Sequence, residues 1–83
     1  MYTVQFDDTA IAFLEKSEKH IAHRIWSKLQ KAKENPHRYF ERLQGRTDYK
    51  LRVGDYRAIA DIHDAALVIQ VTLIEHRKKV YEQ

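Results

Sequence analysis

Tyr49-Lys50-Leu51-Arg52-Val53-Gly54-Asp55-Tyr56-Arg57 is the stretch whose reading decides the fold. Apolar and cationic residues alternate up to Gly54-Asp55, and a further arginine follows on the return. Gly-Asp is a two-residue loop of the kind that accepts positive φ, so the spacing predicts a β-hairpin. That register sets Val53 opposite Tyr56, Arg52 opposite Arg57, Leu51 opposite Ala58 and Lys50 opposite Ile59. Side chains alternate at period two, so Tyr49, Leu51, Val53, Tyr56 and Ala58 share one face while Lys50, Arg52 and Arg57 share the other. Like charges directly opposite one another cost stability, so Arg52 across from Arg57 calls for a reason. A solvated polar face is the ordinary one. A phosphate-rich ligand is the other.

Towards the C-terminus the second strand continues through Ile59, Ala60, Asp61 and Ile62. A turn at Asp64-Ala65 leads into a strand from Ala66 to Ile74. It pairs Ile62 with Leu67, Ala60 with Ile69, Ala58 with Val71 and Tyr56 with Leu73, all on the face already assigned to the core. Two turns chosen separately thus give one apolar face. The opposite face carries Lys50, Arg52, Arg57, Thr72 and, by parity, His76. The tail Arg77-Lys78-Lys79-Val80-Tyr81 has length for a turn of helix or a hook.

Towards the N-terminus, His37 to Gly45 reads as a polar connector in which Phe40 and Leu43 tuck under the sheet edge. Before it, Ile21, Ala22, Ile25, Trp26, Leu29 and Ala32 form one broad stripe of a helix that begins near His20. Asn35-Pro36 ends that helix, because the residue before a proline is pushed out of helical space. Trp26 is expected in the core or facing a partner rather than as a base-stacking platform. An earlier helix with Ala10, Ile11, Phe13 and Leu14 runs to about Ser17, with Asp7-Asp8-Thr9 supplying cap oxygens and negative charge at its start. Tyr2, Val4 and Phe6 alternate with polar residues as a first strand. The sum is an α+β domain over residues 1–83: an N-terminal strand, an αα-hairpin, then a three-stranded antiparallel meander. The helices cover one face of the sheet and leave a cation-lined face open.

At 83 residues and 43% hydrophobic content the chain supports one small core. It has no cysteine, which excludes disulfides, thiolate metal sites and thiol redox chemistry. The first residues lack the basic and apolar regions of a signal peptide, and no apolar run is long enough to span a bilayer. A cytoplasmic protein with no membrane association is the expectation. The net charge of +3 is modest, so any nucleic-acid footprint must come from segregating charge onto one face. His20, His23, His37 and His63 are scattered and form no recognisable metal set.

The run from Tyr49 to Arg57, followed by His76-Arg77 and Val80-Tyr81, resembles the RelE family of toxins in the RelE/ParE superfamily of toxin–antitoxin systems. The resemblance covers the whole chain. It implies a RelE-like, microbial-RNase-type sheet with helices on one face, and a type II toxin that enters the ribosomal A site and cuts mRNA there. It implies cleavage without metal or other cofactor, in which a 2′-hydroxyl attacks the adjacent phosphate. The implied partners are a RelB-like antitoxin, a 70S-type ribosome and its mRNA, with operator DNA engaged only through the antitoxin. By the same resemblance Lys50 and Arg52 match the basic pair of the second strand. Arg57 matches the arginine of the Tyr-Arg step, Arg77 the arginine after the last strand, and Tyr81 the C-terminal tyrosine.

The residue types suit that chemistry. In-line attack builds negative charge on the non-bridging oxygens, which preorganised cations stabilise. Arg52 and Arg57 offer guanidinium forks matched to phosphate geometry. Tyr81 is suited to stacking on a nucleotide. Two roles stay open. The base that takes the 2′-hydroxyl proton is Lys50, whose cationic neighbours favour its neutral form, or Glu41, whose surroundings Glu41-Arg42-Leu43-Gln44-Gly45 resemble the carboxylate-bearing stretch of the YoeB branch. The acid is Arg77 or His76. Two other functions fit the same fold: a ParE-like inhibitor of DNA gyrase, and a catalytically inactive RNA-binding relic.

Overall fold

The structure is a computed structural model that describes residues 1–77. The order of elements is β1 (Thr3–Phe6), α1 (Asp8–Lys16), α2 (Lys19–Ala32), α3 (Pro36–Tyr39), β2 (Glu41–Arg42), β3 (Tyr49–Val53), β4 (Tyr56–His63) and β5 (Val68–His76). The strands form one five-stranded sheet in the order β1-β5-β4-β3-β2. β1 lies parallel to β5, whereas β2, β3, β4 and β5 pair antiparallel in succession. The α+β architecture therefore stands, with the N-terminal strand closing the sheet beside β5 through the αα crossover. Among the described residues no helix is long and apolar enough to cross a membrane.

Both long helices bury the stripe their sequences carry. In α2, Ile25, Leu29 and Ala32 recur at helical spacing and are buried. From α1, Ala10 joins them, and the sheet supplies Leu51, Val53, Ala58, Ala60, Ile69, Val71 and Ile74. Each large side chain removed from water here, such as Leu29 or Leu51, stabilises the fold by roughly 1.5–3 kcal/mol relative to exposure. Trp26 stands outside this core, 48% exposed, with His23 stacked against it. Asp7 occupies the cap position of α1, yet its carboxylate accepts a hydrogen bond from Gln70 Nε2 at 2.7 Å rather than capping the helix. Thr9 donates to the carbonyl of Thr72 at 2.6 Å. The polar residues at this helix start thus stitch α1 to β5.

The connector from His37 to Gly45 is more structured than its polarity suggests. Pro36 opens the single-turn α3, where a fixed φ and a missing N–H are no handicap. Phe40 is buried, as expected at the sheet edge. The next two residues pair with β3, setting Glu41 opposite Lys50 and Arg42 opposite Tyr49.

The β3–β4 register is the one the Gly-Asp turn predicts, from Val53↔Tyr56 to Lys50↔Ile59. The β4–β5 register differs. The turn spans residues 64–67 instead of two residues, with Leu67 at a φ of 56°. A two-residue hairpin loop needs positive φ at one or both central positions, and Asp64-Ala65 has no glycine to supply it. Lengthening the loop shifts the pairing to Ile62↔Ile69 and Ala60↔Val71. A shift of two leaves every side chain on its expected face, so Ile69 and Val71 are still buried. A β-bulge then intervenes: Ala60 pairs with Val71 but Ile59 pairs with Leu73, leaving Thr72 extra. A one-residue shift inverts the faces beyond it. Ile74 is consequently buried and Leu73 is 42% exposed, the reverse of the expected arrangement.

A cationic candidate active site on the open face

Cross-strand rows of side chains span the open face of the sheet. One row runs from Glu41 in β2 to Lys50 in β3, Ile59 in β4 and Leu73 in β5. The next row runs from Arg52 in β3 to Arg57 in β4 and Glu75 in β5. Leu51, Val53 and Ala58 alternate with these residues and are buried under the helices, so the pleat holds the cations on the opposite side. Arg52 and Arg57 are direct partners on that side, as the hairpin predicts.

Lys50, Arg52 and Arg57, with Tyr56 and Arg77, line a small depression of about 10 Å³. Four of the five expected site residues are thereby brought together. Arg77 is fixed through its backbone, whose N–H donates to the carbonyl of Asp55 at 2.6 Å, holding the end of β5 against the β3–β4 turn. Tyr81 lies outside the described residues. Of the two candidate bases, Lys50 has a side chain 25% exposed and Glu41 one 78% exposed, and their charged ends stand 4.0 Å apart.

His76 is placed differently from its expected position. The bulge at Thr72 carries it to the level of Tyr56, whose ring it meets edge-on at 4.8 Å. Tyr56 also packs edge-on against Phe13 of α1, so His76 belongs to the end of the helix-covered side. Glu75 takes the place that parity assigned to the histidine. Arg57 Nε donates to Glu75 Oε1 at 2.8 Å, with both side chains 23% exposed. This carboxylate gives the opposed arginines an internal counterion, a second reason besides a ligand for Arg52 to face Arg57. The bulge at Thr72 is what sets Glu75 opposite Arg57. Its only sequence signal is that Thr72-Leu73-Ile74 breaks the apolar alternation of the strand.

Two further depressions adjoin the site. One of about 160 Å³ is lined by Lys28, Tyr39, Glu41, Lys50 and Arg52. The other, about 490 Å³, lies between α2 and the β3–β4 turn, where Arg24, Lys28 and Lys31 meet Tyr39 and Gly54. Lys28 Nζ donates to the carbonyl of Arg52 at 2.6 Å, joining helix to site strand. Arg24, Lys28 and Lys31 recur at four and then three residues, beside the apolar stripe of α2. That spacing was available in the sequence as a cationic ridge.

Comparison with known proteins agrees with this architecture. The family model described as "ParE toxin of type II toxin-antitoxin system, parDE" matches residues 4–81. A putative RelE-like toxin protein of Escherichia coli is 31% identical over 81 residues, covering 94% of this chain and 85% of that protein. Among solved structures, the toxin–antitoxin complex RelBE2 of Mycobacterium tuberculosis contains a chain that superposes with a TM-score of 0.81 at 25% identity, covering 92% of this chain and 98% of that one. The isolated E. coli RelE toxin superposes with a TM-score of 0.79 at 24% identity, covering 99% and 93%. The chain belongs to the ParE toxin family of type II toxin–antitoxin systems, within the RelE/ParE superfamily.

Proposed function

We propose that this toxin is a ribosome-dependent mRNA endonuclease. The observation that supports it most directly is the pairing of Arg52 with Arg57 on the open face, beside Lys50 and Arg77 around one depression. In the proposed reaction the 2′-oxygen of one nucleotide attacks the adjacent phosphorus while the bond to the 5′-oxygen breaks. The products are a 2′,3′-cyclic phosphate and a 5′-hydroxyl. Arg52 and Arg57 bind the non-bridging oxygens and stabilise the charge that grows on them. Lys50 or Glu41, neighbours across β2 and β3, accepts the proton of the attacking hydroxyl. Arg77, which lines the same depression, is assigned to stabilise the departing 5′-oxygen, which takes up a proton from water to become the 5′-hydroxyl, and Tyr81 is assigned to stack on the substrate. Primer extension on programmed ribosomes incubated with the purified protein tests the reading. Cuts within the A-site codon are expected, and intact message at every codon contradicts it.

A partner accompanies this reading. Solved relatives at 25% identity include toxin–antitoxin complexes of RelBE type, which supports a RelB-like antitoxin for this chain. Such an antitoxin is expected to lay an acidic, amphipathic segment across the cations and to carry the operator-DNA contacts itself.

The family description favours one other reading, a ParE-like gyrase inhibitor. It predicts that supercoiled plasmid is cleaved in the presence of gyrase while translation continues unaffected.

A further inference from the structure

We infer that the groove between α2 and the β3–β4 turn is a binding track for a single RNA strand, carrying the backbone past the proposed cleavage site. The inference rests on the nuclease reading for the identity of the strand. The groove itself stands on its own geometry.

Three observations carry it. First, among the described residues the groove is built with one sign of charge: Arg24, Lys28 and Lys31 line it, and no carboxylate does. Their spacing sets them along one helix face over a rise of about 10 Å, long enough to follow more than one phosphate. Second, the groove is continuous with the site. Lys28 and Tyr39 line both it and the smaller depression, which in turn shares Lys50 and Arg52 with the cationic cluster. Third, the hairpin turn is shaped to let Arg24 through. A Cβ on Gly54 would lie 2.7 Å from Arg24 Nη2, so the bare turn leaves space for the guanidinium beside it.

An acidic amphipathic peptide is the competing occupant. Such a segment anchors through apolar side chains in apolar pockets, yet among the described residues Val53 is the only aliphatic side chain lining this groove. A basic wall with an aromatic ring, here Tyr39, at the passage to the next depression is the usual combination for a single strand: phosphates along the cations and a base against the ring.

The test uses 2′-O-methyl oligouridine, which lacks the attacking hydroxyl and so reports binding without cutting. Fluorescence anisotropy with oligomers of about 4 and about 12 nucleotides compares the wild type with Arg24→Ala/Lys31→Ala, both substitutions at exposed positions. The longer oligomer is expected to bind wild type more tightly than the shorter. The double substitution is expected to weaken the longer by about tenfold and to lower its log–log salt slope by about 1.4, two lost phosphate contacts at about 0.7 each. Binding of the shorter oligomer stays within about twofold. An Arg24→Lys/Lys31→Arg variant keeps both charges and is expected to restore the length dependence, so a loss caused by misfolding is told apart. Equal affinity for the two lengths in wild type overturns the inference. So does an unchanged length dependence in the alanine variant, or a loss confined to an acidic peptide while the oligomers bind as before. Uncut ribosomal mRNA combined with the expected oligomer behaviour removes the nuclease reading and leaves the track. Efficient cutting with no role for Arg24 and Lys31 in binding does the reverse.

Discussion

Glu75 holds Arg57 by its Nε at 2.8 Å, one strand over from where Arg57 faces Arg52. A carboxylate inside a cluster proposed to bind phosphate has two consequences that pull apart. It relieves the repulsion between two opposed arginines, and it competes with an incoming anion for one of them. Glu75→Ala is therefore expected to destabilise the fold by about 1 kcal/mol, a small figure because solvent screens a pair that is one quarter exposed. At this chain length that lowers the thermal midpoint by about 4–8 °C. The same substitution is expected to tighten binding of a non-cleavable oligonucleotide. Weaker binding together with lower stability would show that Glu75 positions Arg57 rather than restrains it.

The bulge at Thr72 is testable through adjacent residues. Ile74→Ala opens a cavity in the core and is expected to cost about 2–5 kcal/mol, whereas Leu73→Ala, on the open face, costs under about 1 kcal/mol. Chemical denaturation of the two variants measures the contrast. An uninterrupted strand would reverse the order.

That bulge also marks where the sequence stops being legible. The β3–β4 register was readable because Gly54-Asp55 admits few turn types and because Leu51 and Val53 alternate cleanly with Lys50 and Arg52. The shared face of three candidate site residues, Lys50, Arg52 and Arg57, followed from it, whereas Arg77 came from the family resemblance. The β4–β5 turn was not readable to the residue, since Asp64-Ala65-Ala66-Leu67 names no turn type. Its two-residue error was harmless to the faces because the strand period is two. The extra residue at Thr72 was not harmless, exchanging Glu75 for His76 beside Arg57. Bulges are settled by packing on both sides of a strand, here Ile74 against the helices and the Thr72 hydroxyl donating to the carbonyl of Ile59 at 3.3 Å. A local pattern does not contain that information. The pairing of Glu41 with Lys50 escaped for a related reason: β2 is a two-residue edge strand with no alternation of its own to read.

Gly54 and Gly45 separate two uses of glycine. Both have positive φ, +58° and +72°, but only Gly54 has a neighbour, the end of the Arg24 side chain. Each Gly→Ala substitution is expected to cost about 1–2 kcal/mol from the left-handed backbone. The crowding adds little to stability because the guanidinium can swing away. It is expected to appear instead as weakened binding of long oligonucleotides by Gly54→Ala and unchanged binding by Gly45→Ala.

Asp64, in the β4–β5 turn, ties the N-terminal segment to α3, accepting from the Tyr2 hydroxyl at 2.6 Å and lying 2.7 Å from His37 Nε2. The hydrogen bond from Tyr2, then that from His37, holds its carboxyl below the ordinary carboxylate value. A carboxyl lowered in the folded state stabilises above its unfolded pKa and loses that contribution as pH falls through the folded one. The same hydrogen bond raises the Tyr2 hydroxyl above its usual value, so its contribution is present below the unfolded tyrosine pKa and fades only in strong alkali. Thermal midpoints of wild type and Asp64→Asn are expected to differ near neutrality and to converge as pH falls through the acid range. A difference that grows on acidification would contradict this sign.

In the proposed reaction Arg52 and Arg57 act on one phosphate. Single-turnover mRNA cleavage on programmed ribosomes by wild type, Arg52→Ala, Arg57→Ala and the double variant measures that most directly. Each single substitution is expected to slow cleavage by about 10²–10³, with the double only slightly slower because the pair acts as a unit. Message left whole by the wild type, or single variants that cut at the wild-type rate, would contradict it.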